Sequence, residues 1–490
     1  MVVVIGAGAT GLGVAWDLTL RGIPVTVIDQ GDIGHGTSGR FHGLLHSGGR
    51  YVVTDPPAAR DCYEESRILT RIFPEAVIPT GGVFVAVQNE DLAFQEVWLK
   101  GCQRASIPVR EVSPAALRQK IPDLTSAVQS AFQVPDGVLE GFTVLFRLAR
   151  HIEAAGGQIW RQTRVEAIRR VNGRVTGVVI RTRQGDRQDI ACHAVVNAAG
   201  PWAGDVSRLL EDPLRMNLAA GMMIIFAHRR VPLVVNRLRH PGDGDILVPH
   251  GRTAIWGTTD VPQEGPEPPR PTREEARHLI HLGEALFPEM GQWRVLRAFT
   301  GVRPLYQPGA AGDAREISRD FTVIDHWAQG GPEGAFSVVG GKWTTFRLMA
   351  ERVADLVARY LSVDQKSRTR DVVLRPAEDY QTRSAGPLVC ECEGVSVSAW
   401  GDDAAPLDRR RLRSWFGMGP CQGTLCAHRA TGLRSREVEP RQALAELRAF
   451  REERMAGMRP VAWGDNARQY ALLEAVRQQT YAEMEEADDA

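Results

Sequence analysis

The feature that most constrains this chain is a short apolar strand that runs into a glycine-rich turn and then into a helix. Val2 to Ile5 predicts the strand, and Gly6, Gly8 and Gly11 follow it with the spacing G-x-G-x-x-G. The first glycine permits the tight turn, the second lets the backbone approach a pyrophosphate, and the third lets the helix pack closely on the strand. Thr10 lies in the same turn, where the helix N-terminus faces phosphate charge. The pattern predicts a βαβ unit that binds a dinucleotide.

A carboxylate ends the next strand, at the place where such folds bind a ribose. Val25 to Ile28 predicts this strand, and Asp29 follows it, 23 positions after Gly6. A carboxylate at that position accepts a hydrogen bond from a ribose hydroxyl. The alternative is a tight turn without a ligand, but the strand, the spacing and the acidic residue all favour the dinucleotide site. Because NAD and FAD both carry an ADP moiety, this motif does not distinguish them.

A second strand-to-helix unit far along the chain favours FAD. Phe336 to Val339 predicts a strand, Gly340 and Gly341 a turn, and the residues from Thr345 to Leu361 a helix. The alternative is another tight turn without a ligand. Two separated units that close over one long cofactor indicate a flavin dinucleotide. The helix N-terminus and Lys342 would place positive charge beside the flavin ring, where reduction leaves negative charge.

Charge and hydropathy exclude several classes of protein. The 490 residues contain 59 basic and 59 acidic side chains, so we do not expect nucleic-acid binding. No apolar run approaches the roughly 18 residues that a membrane span needs. The sequence also lacks the pattern of a signal peptide, which predicts a cytoplasmic protein.

Four of the seven cysteines lie close together near the C-terminus. Cys390 and Cys392 are separated by one residue, and Cys421 and Cys426 by four. Four thiolates can hold a [2Fe–2S] cluster. They can also hold a structural zinc ion, although zinc sites prefer two residues between paired ligands. Unligated thiols are the third alternative, and of the three we expect the [2Fe–2S] cluster.

Several motifs resemble those of the FAD-dependent glycerol-3-phosphate dehydrogenases. Ile5 to Gly22 (IGAGATGLGVAWDLTLRG) is similar to the first signature of that family, and Gly340 to Ala350 (GGKWTTFRLMA) is similar to the second. Further similar segments are Gly39 to Tyr51 (GRFHGLLHSGGRY), Ile255 to Asp260 (IWGTTD), Thr300 to Leu305 (TGVRPL) and Ser318 to Thr322 (SRDFT). Val196 to Trp202 (VNAAGPW) is shared more widely among amino-acid-oxidase-like flavoproteins.

The C-terminal region resembles the anaerobic branch of the family, in which the catalytic polypeptide carries a four-cysteine module of the bacterioferritin-associated-ferredoxin type. The similar segments are Asp245 to Pro249 (DILVP), Val389 to Glu393 (VCECE), Gly417 to Cys426 (GMGPCQGTLC) and Arg459 to Asp465 (RPVAWGD). The resemblance implies a [2Fe–2S] cluster and flavin and iron–sulfur partner subunits. It also implies a quinone as final acceptor and a peripheral position on the cytoplasmic membrane.

The resemblance implies an α/β fold with a Rossmann-like FAD-binding domain of the glutathione-reductase and amino-acid-oxidase type. An inserted α+β substrate domain and a small helical iron–sulfur module complete the fold. The expected divisions are an FAD-binding domain (1–78, 141–215 and 296–361), a substrate domain (79–140 and 216–295), a linker (362–387), the four-cysteine module (388–437) and a helical tail (438–490). The residues 165–180, 189–191 and 194–197 predict strands of a small additional sheet.

The resemblance also implies the roles of individual residues. The phosphate of the substrate would be bound by Arg50, Arg303 and Arg319, with hydroxyls from Tyr51, Thr258 and Thr259 and with Lys342 between substrate and flavin. His46 is our candidate for the base, and the alternative is that His42 and His46 only hydrogen-bond the loop or the flavin. The other expected flavin-site residues are Thr37, Ser38, Gly39, His42, Leu44, Ala199, Gly200, Trp202, Thr344 and Thr345.

The function that follows is FAD-dependent oxidation of sn-glycerol 3-phosphate to dihydroxyacetone phosphate, with electrons leaving through an iron–sulfur cluster. One alternative keeps the flavin chemistry but uses a 2-hydroxy acid or an amino acid, since arginines bind carboxylates as well as phosphates. A second alternative is a non-catalytic electron-transfer protein in which the flavin fold is only a scaffold.

Overall fold

A computed structural model describes residues 1–306, 320–376, 386–400 and 405–488, with side chains up to residue 479. In the first half of the chain the helices and strands are β1 (Val2–Ile5), α1 (Ala9–Leu20), β2 (Val25–Ile28), β3 (Leu44–Leu45), α2 (Pro56–Ile72), β4 (Val77–Ile78), β5 (Gly82–Ala86), α3 (Asn89–Arg104), β6 (Arg110–Glu111), α4 (Pro114–Lys120), β7 (Ser130–Val134), β8 (Gly137–Leu139), α5 (Gly141–Ala154), β9 (Gln158–Trp160), β10 (Thr163–Val171), β11 (Arg174–Thr182), β12 (Arg187–Ala191), β13 (Ala194–Asn197), α6 (Ala203–Leu209) and β14 (Asn217–Phe226).

The described elements after these are β15 (Val234–Arg237), β16 (Ile246–His250), β17 (Thr253–Gly257), β18 (Val261–Gln263), α7 (Arg273–Glu284), β19 (Val295–Leu305), β20 (Phe321–Asp325), β21 (Ala335–Gly340), α8 (Phe346–Tyr360), β22 (Leu388–Cys390), β23 (Val395–Ser396), α9 (Val397–Trp400), α10 (Leu407–Ser414), α11 (Cys426–Arg434), α12 (Pro440–Met458) and α13 (Gly464–Asp488). None of the described helices combines the length and the apolar character that crossing a membrane requires.

A six-stranded sheet with the order β20-β21-β13-β1-β2-β9 carries the glycine-rich turn. β1 lies in the middle and pairs in parallel with β2 and β13. Val2 and Val4 face the core formed with α1, α5 and α8, whereas Val3 and Ile5 face the core formed with the three-stranded sheet β10-β11-β12. Both faces of β1 are therefore covered, which explains why its residues form a continuous apolar run rather than an alternating one.

The sheet pairings correct two sequence-based expectations, the sheet to which residues 194–197 belong and the domain to which residues 296–305 belong. β13, which we expected in the small sheet, joins the six-stranded sheet through β1 and β21. β19 contains residues 296–305, which we grouped with the FAD-binding domain. It instead pairs with β14, from Asn217 opposite Leu305 to Phe226 opposite Val295. Apolar strands look alike in sequence, and only the long-range pairing decides which sheet they join.

A nine-stranded sheet forms the second layer of the body and brings two distant chain segments together. Its strand order is β18-β14-β17-β16-β15-β5-β7-β6, with β19 paired to β14. The parallel pair β5 and β15 joins the earlier segment to the later one. The ends of β17 and β19 carry Thr258 and Arg303 to the same cavity.

The C-terminal module has its own small core and rests on the nine-stranded sheet. Phe416 stacks on Phe450 with ring centroids 5.2 Å apart, and both rings are buried with two of the cysteines. On the side facing the sheet, Arg297 of β19 pairs with Glu453 of α12 at 2.9 Å. Trp415 stacks on His250 of β16 with centroids 5.2 Å apart.

The segment after α8, which we expected to be a linker, lies in its described part against the layer that carries the glycine-rich turn. The Leu374 N–H donates to the carbonyl of Ile72 at 2.8 Å, and the Arg347 guanidinium donates to the Thr369 hydroxyl at 2.9 Å. Arg347 also makes a two-pronged ion pair with Glu65 at 2.8 and 2.6 Å, and both side chains are only 2% exposed. This buried pair fastens α8 to α2.

Removing one partner of the buried pair should destabilise the protein strongly. We expect Glu65→Ala to lower the free energy of unfolding by about 3–5 kcal/mol, because a buried guanidinium loses its main counter-charge. The neighbouring Glu64 pairs with Arg370 at 2.9 Å, but these side chains are 64% and 49% exposed. Glu64→Ala should therefore cost no more than about 1 kcal/mol in the same urea unfolding experiment. Equal losses for the two variants would contradict this account.

Candidate active site

A cavity of about 1180 Å³ runs from the glycine-rich turn to the nine-stranded sheet. It exceeds the roughly 300–1,000 Å³ of ordinary small-molecule pockets, as a long dinucleotide and a substrate together would require. Nineteen of the predicted site residues line it: Gly6, Gly8, Thr10, Asp29, Thr37, Ser38, His42, Leu44, His46, Arg50, Tyr51, Ala199, Gly200, Trp202, Thr258, Arg303, Gly340, Gly341 and Lys342.

The first glycine turn forms one end of the cavity through close backbone packing. Gly6 has φ +112°, and a side chain on Gly11 would overlap the carbonyl of Gly6. The start of α1 can therefore lie directly against the strand ends only with glycine at both positions. Ser38 supports the helix start, since its hydroxyl accepts the Ala9 N–H at 2.9 Å. The backbone N–H groups at this end are suited to a pyrophosphate.

Asp29 lines the cavity and also stabilises the turn. Its carboxylate accepts the Ala7 N–H at 2.6 Å and the Gly31 N–H at 2.7 Å. Burial raises the pKa of Asp29, and the two N–H donors oppose that shift. The predicted ribose contact stays a prediction, since the side chain already has these two partners within the turn.

The second glycine turn brings a cation to the other part of the cavity. Gly340 ends β21, Gly341 follows, and Lys342 then places its Nζ 4.6 Å from the centre of the Tyr51 ring. The Tyr51 ring in turn lies 5.3 Å from that of His46. Lysine, phenol and imidazole thus meet at one point of the cavity wall.

Two arginines reach the same region, and each is held by a carboxylate. Arg50 pairs with Asp245 at 3.5 Å. Arg303 pairs with Asp260 at 3.2 Å and also donates to the Thr258 hydroxyl and, at 3.0 Å, to a backbone carbonyl. The carboxylates hold the guanidinium groups in place, which leaves a fixed, cation-rich end to the cavity.

Five predicted residues lie outside the cavity wall. Gly11 and Gly39 pack against backbone, Gly39 beside the Gly34 carbonyl. The Thr259 hydroxyl accepts the Met222 N–H at 2.9 Å within the nine-stranded sheet. Thr344 and Thr345 are buried behind the second turn, where the Thr344 hydroxyl accepts the His46 N–H at 3.1 Å and the Thr345 hydroxyl accepts the Lys342 N–H at 3.3 Å. Arg319 lies outside the described residues.

Sequence reasoning missed three acidic residues that position this site. Asp245 and Asp260 hold the two arginines, although both stand in motifs that we noted. Asp136 is buried and accepts the Ser47 N–H at 2.8 Å and the Asn236 amide at 3.1 Å, which fixes the loop from Gly39 to Tyr51. The sequence did offer one indication for Asp260, because it directly follows the predicted substrate residues Thr258 and Thr259 in the segment IWGTTD.

His42 and His46 are neutral in the folded protein. Burial, followed by the nearby Arg50 and Arg303, lowers the pKa of His42 to about 3. Burial and then His42, Arg50 and Lys342 lower the pKa of His46 well below its ordinary value. The Nδ1 atom of His42 accepts the Leu44 N–H at 3.1 Å, so the proton of this neutral ring lies on Nε2. A neutral imidazole can accept a proton, which is the property that a base at this position needs.

The four C-terminal cysteines meet in the module. Sulfur hydrogen bonds join Cys426 to Cys390 and to Cys421, and Cys421 to Cys392. The bond from Cys426, aided by backbone N–H groups and opposed by burial, lowers the pKa of Cys390 and that of Cys421 below their ordinary value. Gly419 packs so closely on Cys392 that a side chain there would strike the Cβ atom of Cys392. Within the described ranges, no three His, Cys, Asp or Glu side chains are arranged around a single ion position.

Comparison with known proteins defines the class first. Residues 1–356 match the family model described as DAO, FAD dependent oxidoreductase, so the chain is an FAD-dependent oxidoreductase. A solved glycerol-3-phosphate dehydrogenase from Bacillus halodurans, complexed with FAD, shares the fold with a TM-score of 0.59 at 24% identity, covering 76% of this chain and 67% of that one. These findings confirm the predicted α/β fold class and the predicted FAD.

Curated relatives then give the particular family. The chain is 36% identical to the A1 subunit of the anaerobic glycerol-3-phosphate dehydrogenase of Haloferax volcanii, covering 96% of this chain and 89% of the relative. It is also 36% identical to the corresponding A subunit of the Escherichia coli K12 enzyme, covering 96% of this chain and 94% of the relative. The chain belongs to this family of anaerobic glycerol-3-phosphate dehydrogenase subunits.

The neutral histidines should make the protein sensitive to acid. In the unfolded chain an imidazole takes up a proton near pH 6.5, whereas folded His42 stays neutral down to about pH 3. Stability present above pH 6.5 is therefore lost as the pH falls through this window. Between pH 7 and pH 5, wild type should lose about 2 kcal/mol more unfolding free energy than His42→Gln, measured by urea unfolding of the FAD-loaded proteins. The same pH dependence in both proteins would contradict the buried neutral state.

Proposed function

We propose that this enzyme oxidises sn-glycerol 3-phosphate to dihydroxyacetone phosphate at its FAD. The observation that carries the proposal is the arrangement of Arg50, Arg303 and Lys342 at the end of the cavity away from the first glycine turn. A phosphate dianion needs such a set of fixed cations, and two of these are planar guanidinium groups suited to paired hydrogen bonds. The names of the curated relatives support the same substrate.

The residues around the cations suggest how the substrate would lie. Arg50 and Arg303 would bind the phosphate, each keeping its charge while a carboxylate fixes its position. Thr258 and Tyr51 line the cavity, and their hydroxyls would bind the hydroxyl groups of the substrate. Arg319, which lies outside the described residues, stays a proposed third phosphate ligand.

Oxidation of the alcohol also needs a proton acceptor. FAD, when bound, supplies the acceptor for the hydride that leaves the alcohol carbon. His46 would take the alcohol proton on a ring nitrogen, since its imidazole is neutral and lines the cavity beside Tyr51 and Lys342. Lys342 would then stabilise the negative charge that develops between substrate and cofactor.

The four cysteines would hold a [2Fe–2S] cluster. Such a cluster takes four thiolates, two at each iron, and the four thiols here contact one another inside the module. Backbone N–H groups of Gly417 and Gly423 already donate toward Cys390 and Cys421, as the hydrogen bonds that tune a cluster do. The residues fit this group. Electrons from the substrate would leave the flavin one at a time through it.

The electrons would pass to partner subunits and finally to a quinone. The relatives are subunits of larger enzymes by name, which supports the existence of partners. We propose a peripheral position on the cytoplasmic face of the membrane through these subunits.

The substrate can be tested by absorbance of the anaerobic protein. Adding sn-glycerol 3-phosphate should bleach the flavin bands at about 450 nm. Arg303→Gln should keep its FAD but need about 10–100-fold more substrate, because a charge-assisted bond to the phosphate is lost. The exposed Arg252→Gln should match wild type. Bleaching by lactate or glycine but not by glycerol 3-phosphate would refute the phosphate substrate.

The cluster can be tested separately from the flavin. Cys421→Ser should lose the low-temperature EPR signal of the dithionite-reduced protein and about two irons per chain. Its flavin should still bleach with glycerol 3-phosphate, since the cysteines lie outside the flavin cavity. Cys192→Ser, which changes a buried cysteine elsewhere in the chain, should keep both signals. A wild-type protein that contains no iron and gives no such EPR signal would contradict the cluster.

A further inference from the structure

Arginines with little counter-charge lie between the FAD-binding body and the four-cysteine module. Arg297 of β19, Arg411 of α10 and Arg454 of α12 all face Glu453, with N–O distances of 2.9, 3.8 and 3.5 Å. Arg40, in the loop that borders the cavity, interacts with the same carboxylate through space. We call these four arginines and Glu453 the arginine cluster.

Arg454 of the arginine cluster and the neighbouring Arg294 contact the residues on either side of Cys421. The Arg454 guanidinium donates to the Gln422 side chain, and the Arg294 guanidinium donates to the Pro420 carbonyl at 3.4 Å. Pro420 and Gln422 are the residues on either side of Cys421. Gln422 also connects Arg454 to the loop before Cys421, because its amide donates to the Gly419 carbonyl at 3.0 Å.

The positive charge in this region is buried and only partly neutralised. Arg297 is 7% exposed and Arg454 is 3% exposed. The Nε atoms of Arg297, Arg411 and Arg454 have no hydrogen-bond partner within the part of the chain that the structure describes. Glu453 is therefore the shared ion-pair partner of three guanidinium groups. A charge held in such a dry setting acts over a longer range than one in water.

The charge states of the arginine cluster follow from its surroundings. Burial would raise the pKa of Glu453, but Arg297, Arg411 and Arg454 hold it well below its ordinary range. Burial and the neighbouring Arg297 lower the pKa of Arg454. A guanidinium nevertheless keeps its proton at neutral pH. The Glu453 carboxylate is ionised. Glu267 near Arg40 and Asp408 near Arg411 add two further carboxylates, so four described arginines face three carboxylates and an excess of positive charge remains.

We propose that the arginine cluster raises the reduction potential of the group held by the four cysteines, and so favours electron transfer from the flavin to that group. The inference rests on the proposed function, because it requires the [2Fe–2S] cluster. Reduction adds one electron to an iron–sulfur cluster and hence one negative charge, and net charge nearby sets its potential. The same arginines that fix the module to the body would thereby set the direction of electron flow.

If the arginine cluster had only a structural role, its charge would not determine the reduction potential. Two substitutions that remove charges of opposite sign distinguish this role from the electrostatic one. Glu453→Gln removes a negative charge and should raise the potential. Arg454→Gln removes a positive charge and should lower it. At an effective dielectric constant of about 20, a unit charge on the order of 10 Å away changes a one-electron equilibrium roughly tenfold. That change corresponds to about 59 mV.

The experiment is a potentiometric titration of the full-length protein, followed by the EPR signal of the reduced cluster. Arg411→Gln, whose side chain is 13% exposed, provides a second variant that should lower the potential and is less disruptive to folding. Arg448→Gln is the control, since Arg448 lies on the same helix α12 but is 56% exposed and pairs with Glu452. It should titrate as wild type does.

The outcomes separate this inference from the proposed function. Shifts of opposite sign for Glu453→Gln and for the two arginine variants would support the inference. Shifts of the same sign, or potentials equal to wild type with the cluster retained, would overturn it. A wild-type protein that binds FAD but shows no reducible EPR signal would instead overturn the proposed cluster, and this inference with it.

Discussion

The close approach of α1 to the ends of β1 and β13 fixes where everything else in the molecule can lie. Only glycine at positions 6 and 11 permits it, because a Cβ atom at either would strike backbone. With the helix start in this place, the cavity opens between the two strand-to-helix units of one sheet, and we propose that the FAD lies along it. Residues from the second unit and from the nine-stranded sheet line the other end of this cavity. The architecture is thus set by backbone packing before any side chain takes part.

The polar groups of the site are fixed by a common device, in which a carboxylate holds each functional segment. Asp29 holds the first turn, Asp136 the loop from Gly39 to Tyr51, Asp245 the guanidinium of Arg50 and Asp260 that of Arg303. Because each guanidinium already has a fixed partner, a phosphate can bind without first having to reorganise the arginines. The site is preorganised for an anion, which is the condition for electrostatic catalysis.

Much of this arrangement could be predicted from local sequence. The two glycine turns, the strands before them and the helices after them are short-range patterns, and they were confirmed together with FAD. The convergence of Arg50 and Arg303 was expected from resemblance alone. What local patterns could not give are the long-range pairings. β13 and β19 join other sheets than we expected, because the sequence of an apolar strand does not show which strand it pairs with. The roles of Thr259, Thr344 and Thr345 behind the wall depended on side-chain direction in the same way.

His250 shows how the module and the flavin site are mechanically related. Its ring stacks on Trp415 of the module, and on another side it lies so close to Gly43 that a side chain there would touch it. The His250 ring therefore lies between the loop that carries Arg50 and the module that carries the cysteines. Together with the Arg297–Glu453 ion pair and the Arg294–Pro420 hydrogen bond, this ring sets the separation between the cavity and the four-cysteine module. The outer surface of the module can therefore change in shape and sequence while the separation between the cysteines and the cavity stays the same.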